Sequence, residues 1–446
     1  MSGHVFHRVL GRKLPIAKEG QGAFIIDGTG RRYLDASGGA VVVNLGHARQ
    51  EIAQAVADQL RRGYYYHPTM FTSDCVETLA DKLASHAPQG ISRFYFMTSG
   101  SEAVETAIKL ARQFQVADGK EGRYKLISRW RSYHGLTLGA LAATGRTSLR
   151  APFLPSFLDA LHIPPPYCLR CFYGLKPASC GLRCAMALEE VILDQGADSI
   201  SAFIGETVSG ASLAVCPPPS GYWPLVREIC NRHGVLLIHD EVMSGMGRTG
   251  RWFASEHYDA SPDIVTLGKG LSGGALPLSA VGATEKVYQT LADTGGFMHG
   301  GTFSHHPVCA AAGVAAIGIL ESEGLVERAE KMGVLLGRKL RDALDDSPFV
   351  ADIRGLGMLW GFELVADKKT LAPFPRKEKV AERLWNNLFQ QGVILYKSLA
   401  LAGADGDGLV VAPPFMITEQ EMDVVAAVVR RAIDKELVGK WQHLQS

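Results

Sequence analysis

The segment DIVTLGKGLSGG, residues 263–274, sets Lys269 between two glycines directly after the apolar run Ile264, Val265, Thr266, Leu267. Such a β-branched run suits a buried parallel strand, so Lys269 leaves the C-terminal strand end, where α/β sheets place their ligand crevices. An ammonium there is costly to desolvate unless it is paired or neutralised. Holding the amine as a Schiff base removes that cost, and Gly268 and Gly270 let another group approach the backbone. The alternative is an ordinary loop lysine, and the rest of the chain has to decide between them.

Other strand ends carry matching chemistry. In RFYFMTSGSEAVETAIKLARQF a strand ends at Met97, the small-residue loop Thr98-Ser99-Gly100-Ser101 follows, and Glu102 stands three positions after Ser99, the spacing of a capping box. Free amides at a helix start with a positive dipole end make a phosphate site. The bland reading is a well-capped helix. CNRHGVLLIHDEVMSG puts Asp240 at the end of another buried strand, where a carboxylate could keep a heteroaromatic nitrogen protonated. FIGETVSGASLAV sets Glu206 at a strand end, able to bond a phenolic oxygen or pair with a cation. RSYHGLTLGAL supplies Tyr133 and His134 in a loop, the aromatic suited to stacking on a planar group or to core packing. GMGRTG, residues 245–250, formally satisfies G-x-G-x-x-G, but no helix pattern opens there and Asp263 precedes the next strand instead of ending it. Dinucleotide binding is not expected.

These segments need a frame. Apolar runs at 93–97, 124–128, 200–205, 235–239, 264–267 and 279–283 alternate with amphipathic stretches, which implies βαβ units and a mostly parallel sheet flanked by helices. Residues 65–325 are therefore expected to form a large α/β domain. Residues 1–64, with a DGTG hairpin turn and a helix from Gln50 to Arg62, and residues 326–446 are expected to form a smaller α+β domain from both chain ends.

A chain of 446 residues can bury a large core, and 46 basic against 45 acidic residues, without a charged block, argue against nucleic acid or an anionic membrane as partner. A small molecule is the expected ligand. The start has no apolar signal core, and Val308–Leu320 is too short and too rich in Ala and Gly to span a bilayer, so no membrane segment is expected and the cytoplasm is the default location. Cys168, Cys171, Cys180 and Cys184 crowd at spacings that could hold zinc. Their irregular second pair favours reduced cysteines in an ordered surface insertion, and no metal is assigned. Cys75, Cys216, Cys230 and Cys309 read as small core residues.

Taken together, TSGSEAVETAIKLAR, SYHGLTLGAL, GETVSG, LLIHDEVMSGMGRTG, DIVTLGKGLSGG, HGGTFSHHP and the closing VAPPF resemble the class III aminotransferases, nearly the whole chain in order. The resemblance implies the aspartate-aminotransferase-like fold, pyridoxal-phosphate fold type I, and pyridoxal 5'-phosphate as cofactor. It implies that Lys269 carries the Schiff base, Asp240 pairs with the ring nitrogen, and Val242 and Tyr133 cover the two ring faces. Ser99, Gly100 and Ser101 would hold the phosphate, with His134 nearby and Glu206 on the phenolic side. Thr302 would reach the partner subunit's phosphate, making a homodimer or a dimer of dimers with shared sites. The implied reaction is ping-pong transfer of an amino group from an amine or omega-amino acid to a pyruvate-like keto acid. An aminomutase, racemase or decarboxylase on the same scaffold is the alternative.

Departures bear on the substrate. The 4-aminobutyrate and ornithine members carry arginine after His-Gly, where this chain has Leu136. Ornithine-type members also have an arginine shortly before the closing Pro-Pro, where this chain has Val410, and the mobile arginine of amine:pyruvate members would fall near Ala404. The carboxylate clamp is thus unassigned. A neighbouring arginine, Lys397 or a substrate of little charge would each resolve it. Tyr64, Tyr65 and Tyr66 could line an apolar entrance or pack in the core.

Overall fold

The computed structural model describes residues 4–157 and 160–438. An N-terminal meander of β1 (Ala17–Gln21), β2 (Phe24–Asp27) and β3 (Arg32–Asp35) turns at the DGTG expected from sequence. The large sheet follows, built from β4 (Ile91–Met97), β5 (Lys125–Arg129), β6 (Leu161–Ile163), β7 (Ile200–Glu206), β8 (Leu236–Asp240), β9 (Ile264–Leu267) and β10 (Ser279–Thr284). The C-terminal part contributes β11 (Val350–Leu356), β12 (Leu359–Leu364), β13 (Val393–Ile394), β14 (Tyr396–Ala402) and β15 (Asp405–Val411).

The large sheet has the order β4-β10-β9-β8-β7-β5-β6. Every neighbouring pair from β9 to β6 is parallel, while β10 runs antiparallel to both β4 and β9. Two reversals cancel, so β4 points the same way as β9. The C-terminal ends of β4, β5, β7, β8 and β9 therefore share one edge, the edge at which α/β sheets bind ligands. The short β6 has no counterpart in the sequence reading, because three residues are too few for a periodicity to register.

The central strands are apolar throughout because both faces are covered. All of β7, β8 and β9 is buried. The helix Gly100–Ala117 packs one face through Ala103, Ala107, Leu110 and Phe114, and the helices Arg183–Gln195 and Tyr222–His233 pack the other through Leu188, Ile192, Val226 and Ile229. Gly234 ends the second of these in the left-handed region, as a C-cap glycine does.

Two four-stranded sheets lie outside the large one: β1-β2-β3-β13, which joins both chain ends through the parallel pair β3 and β13, and the antiparallel β11-β12-β15-β14. Among the described residues no single helix is long and apolar enough to cross a membrane. The bent pair Pro307–Ser322 and Leu325–Leu344 has the composition of a broken span, but the first of the two packs against the helices Gln50–Arg62 and Asp74–His86.

Two side-chain expectations change. Cys216 and Cys230 are buried, but Cys75 and Cys309 are only partly so, near a helix start where packing is incomplete. Tyr64, Tyr65 and Tyr66 are all exposed, which removes core packing and leaves the entrance, since they follow the C-terminus of a helix and nothing among the described residues covers them.

Candidate active site

The edge collects the residues that the sequence nominated. Asp240 and Glu206 end adjacent parallel strands and are direct register partners. Asp240 is held from three sides. Its Oδ2 lies 2.7 Å from His134 Nδ1, and its Oδ1 accepts from the Val242 amide at 3.0 Å and from Thr266 Oγ1 at 3.1 Å. Thr266 is Asp240's register partner on β9. The carboxylate is thereby fixed in one orientation, which a hydrogen bond to a ring nitrogen requires.

Glu206 accepts from Ser212 Oγ at 3.0 and 3.1 Å. Burial raises its pKa against the opposing pull of His134 and Arg129. Lys269 opens a short turn after β9 at φ 44, left-handed backbone that side chains rarely adopt. Burial draws its amine down to about 8, although Asp240 and Glu206 pull the other way. An amine at that value is substantially neutral near pH 8 and so can act as nucleophile or base.

The capping box forms as expected. Glu102's amide donates to Ser99 Oγ at 3.3 Å, and Ser99's amide donates to Glu102 Oε2 at 2.8 Å. The amides of Gly100 and Ser101, at the open end of the helix, reach no acceptor among the described residues. Gly100 is required for space. A Cβ there would stand 2.7 Å from Val242 Cγ1, and one on Gly268 would stand 3.3 Å from the same atom. Val242 is thus clamped between the Ser99 loop and the Lys269 turn.

The loop bearing Tyr133 and His134 is pressed onto the same helix start. Leu136's amide donates to Ser101 Oγ at 3.1 Å, and Gly135, at φ +136, has that Oγ 2.5 Å from where its Cβ would be. Tyr133 is left 36% exposed at the edge, and burial, with the Asp240 carboxylate among the lesser causes, holds its phenol above the ordinary value. A cavity of about 290 Å³ joins Thr98, Gly100 and Lys269 with Val42, Ser272 and Gly274.

Nine of the ten nominated residues, Ser99, Gly100, Ser101, Tyr133, His134, Glu206, Asp240, Val242 and Lys269, therefore gather at one sheet edge. Thr302 makes no hydrogen bond to them among the described residues. It is exposed on a turn beside Phe303, whose ring meets Tyr65 edge-on at 6.4 Å. The sequence reading missed three partners: the His134–Asp240 bond, Thr266 and Ser212. Thr266 was detectable, since two parallel strands ending together place it opposite Asp240.

GMGRTG is a run of turns with no helix opening. Its Arg248 is buried and donates to the carbonyls of Pro413 at 2.6 Å and Met358 at 3.1 Å, locking the closing Pro-Pro segment to the large sheet. The four clustered cysteines line an apolar cavity of about 360 Å³ with Phe172 and Tyr173. No group of three or more His, Cys, Asp or Glu among the described residues is arranged to hold a metal ion.

Comparison with known proteins gives the same answer over the whole chain. A family model described as "Aminotransferase class-III" matches residues 9–433. An uncharacterized aminotransferase, YodT of Bacillus subtilis, is 35% identical over 98% of this chain and 99% of its own length. Putrescine–pyruvate aminotransferase of Pseudomonas aeruginosa is 34% identical over 94% and 90%. The crystal structure of an (S)-enantioselective omega-transaminase from Thermomicrobium roseum is 37% identical, covers 95% of this chain and 93% of that one, and superposes with a TM-score of 0.89. With a family model matching residues 9–433 and with relatives and a solved structure 34–37% identical over nearly its full length, the chain belongs to the class III aminotransferases.

Proposed function

We propose that this aminotransferase is a pyridoxal-phosphate enzyme that moves an amino group from an amine or omega-amino acid to a pyruvate-like keto acid, one site serving both substrates in turn. The observation that carries the reading is Lys269, an amine of lowered pKa at a sheet edge, beside unpartnered helix-start amides and facing an oriented carboxylate.

The residues fit the cofactor. The amides of Gly100 and Ser101, which reach no acceptor among the described residues, suit its phosphate, and the lack of a Cβ on Gly100 lets Val242 pack against that loop. His134 Nε2 is buried with no hydrogen-bond partner among the described residues, a polar atom that a bound group could satisfy. When bound, pyridoxal phosphate supplies an aldehyde that condenses with amines and a protonated ring that accepts the electron pair released at the substrate α-carbon.

The chain's own groups do the rest. Asp240 would pair with the ring nitrogen and keep it protonated, with His134, Thr266 and the Val242 amide holding the carboxylate in place. Lys269 Nζ, neutral once displaced, takes the proton from the substrate α-carbon. Val242 and Tyr133 would flank the ring, and Glu206 would meet its phenolic side. Residues 65–325 act as the cofactor domain, with 1–64 and 326–446 as the smaller domain. Two copies share their sites through Thr302, a reading supported by its exposed turn and the exposed Tyr64, Tyr65, Tyr66 and Phe303 around it. Residence in the cytoplasm is part of the same proposal.

The test is spectral. Purified enzyme saturated with cofactor should show a near-visible band that an amine donor abolishes and pyruvate restores, and borohydride reduction should fix the cofactor on Lys269. Lys269→Ala should lose that covalent label. A label on another lysine, or no band, overturns the proposal. Turnover of a single substrate without any keto acid would transfer the assignment to the aminomutase, racemase or decarboxylase class.

A further inference from the structure

Arg146 is held beside the active-site loop by its own backbone. The neighbouring Gly145 amide donates to Ser132's carbonyl and hydroxyl, both at 3.1 Å, and the Gly145 carbonyl accepts from the Arg131 amide at 2.9 Å. Residues 131 and 132 lead directly into Tyr133, so Arg146 leaves from the flank of that loop. Its Nη2 donates to the Leu399 carbonyl on β14 at 3.0 Å, while its Nε is buried with no hydrogen-bond partner among the described residues. The charged and titratable groups that face it are Tyr396, Glu206 and Tyr133.

Its neighbour Arg131 makes the matching tie two residues along the same strand. Arg131 Nη1 donates to the Leu401 carbonyl at 2.8 Å, and this guanidinium faces the buried Glu363. Two arginines thus clip β14, the outer strand of its sheet, to the large sheet's loops, but only Arg146 faces the site. Lys397, the other cation considered for a substrate carboxylate, is otherwise engaged. Its ammonium lies over the Trp385 ring at 4.9 Å from the centroid, and Arg12 sits over the same ring at 4.7 Å.

We propose that Arg146 binds the α-carboxylate of the keto-acid acceptor through Nε, the guanidinium nitrogen left unpaired on the side of the Tyr133 loop. A buried guanidinium without an anion is costly, and a planar fork is the geometry that a carboxylate matches. Burial lowers Arg146 below the ordinary arginine value and raises Glu206, so the one carboxyl that faces Arg146 is a poor permanent counter-ion. An incoming carboxylate completes the pair. The acceptors preferred by this site are then small α-keto acids, and an aldehyde of the same length lacks the group that Arg146 recognises.

The inference rests on the transaminase reading, and its test is built to fail separately. Wild type and Arg146→Gln are compared with pyruvate and with propanal as acceptors, with the return of the cofactor band followed in single turnovers. Arg146→Gln should raise the half-saturating pyruvate concentration on the order of 100-fold and shift propanal by less than about 3-fold, with Arg146→Lys intermediate. Arg131→Gln, which removes the neighbouring tie to β14, should leave the pyruvate-to-propanal preference within about 3-fold of wild type. Equal weakening of both acceptors in Arg146→Gln, or no weakening of pyruvate, overturns the role of Arg146. Failure of wild type to recover its band with either acceptor overturns the transaminase reading instead.

Discussion

Lys269 is an ammonium in an environment that disfavours its charge. Burial outweighs the attraction of Asp240 and Glu206 and brings the amine from 10.5 to about 8. Because deprotonation makes the nucleophile, the reactive form grows as pH rises through about 8. In cofactor-free enzyme, trinitrobenzenesulfonate labelling of the Lys269 peptide, followed by mass spectrometry, should rise with a midpoint at about 8, well below that of a solvated lysine. Asp240→Asn removes a group that raises the amine and should move the midpoint lower still. A midpoint near 10.5 would mean that the amine is solvated and unfit for its role.

At the scale of elements, the site depends on two backbone segments meeting where side chains would keep them apart. The Ser99 loop and the Lys269 turn both close on Val242, and a methyl group on Gly100 would force that contact to 2.7 Å. Overpacking of this kind costs about 1–3 kcal/mol. Gly100 already has helix-compatible backbone, so the strain falls on the cofactor cradle more than on the helix. Gly100→Ala should weaken pyridoxal phosphate about tenfold or more in a fluorescence titration of cofactor-free enzyme, with Tm of that form lowered by only about 2–4 °C. A collapsed Tm with normal cofactor affinity in the remaining folded fraction would count against this account.

At the scale of the whole molecule, Thr302 is exposed on a turn beside the exposed Phe303, which suits a contact with a second copy. Shared sites make a distinctive prediction. Lys269→Ala and Thr302→Asp should each be nearly inactive alone, but co-refolded in equal amounts they should recover up to about a quarter of wild-type activity, because half the dimers are mixed and each has one intact site. No recovery, in a mixture shown by sedimentation to contain dimers, would put Thr302 outside the partner's site. The sequence by itself determined the local elements and their chemistry: apolar runs marked the buried strands, Ser99 and Glu102 marked the helix start, and Lys269, Asp240 and Glu206 stood out because polar residues ending apolar runs are costly unless used. Those signals are periodic or lie within a few residues of one another. Only the tertiary structure decided what depends on distant segments meeting: the antiparallel β10 that brings β4 to the same edge as β9, the grip of His134 and Thr266 on Asp240, the exposure of Tyr64, Tyr65 and Tyr66, and the position of Arg146 between the Tyr133 loop and β14. A guanidinium in a loop looks the same in sequence whether solvent or a substrate carboxylate is its partner, because its burial is set by strands more than 200 residues away, as Leu399 is from Arg146.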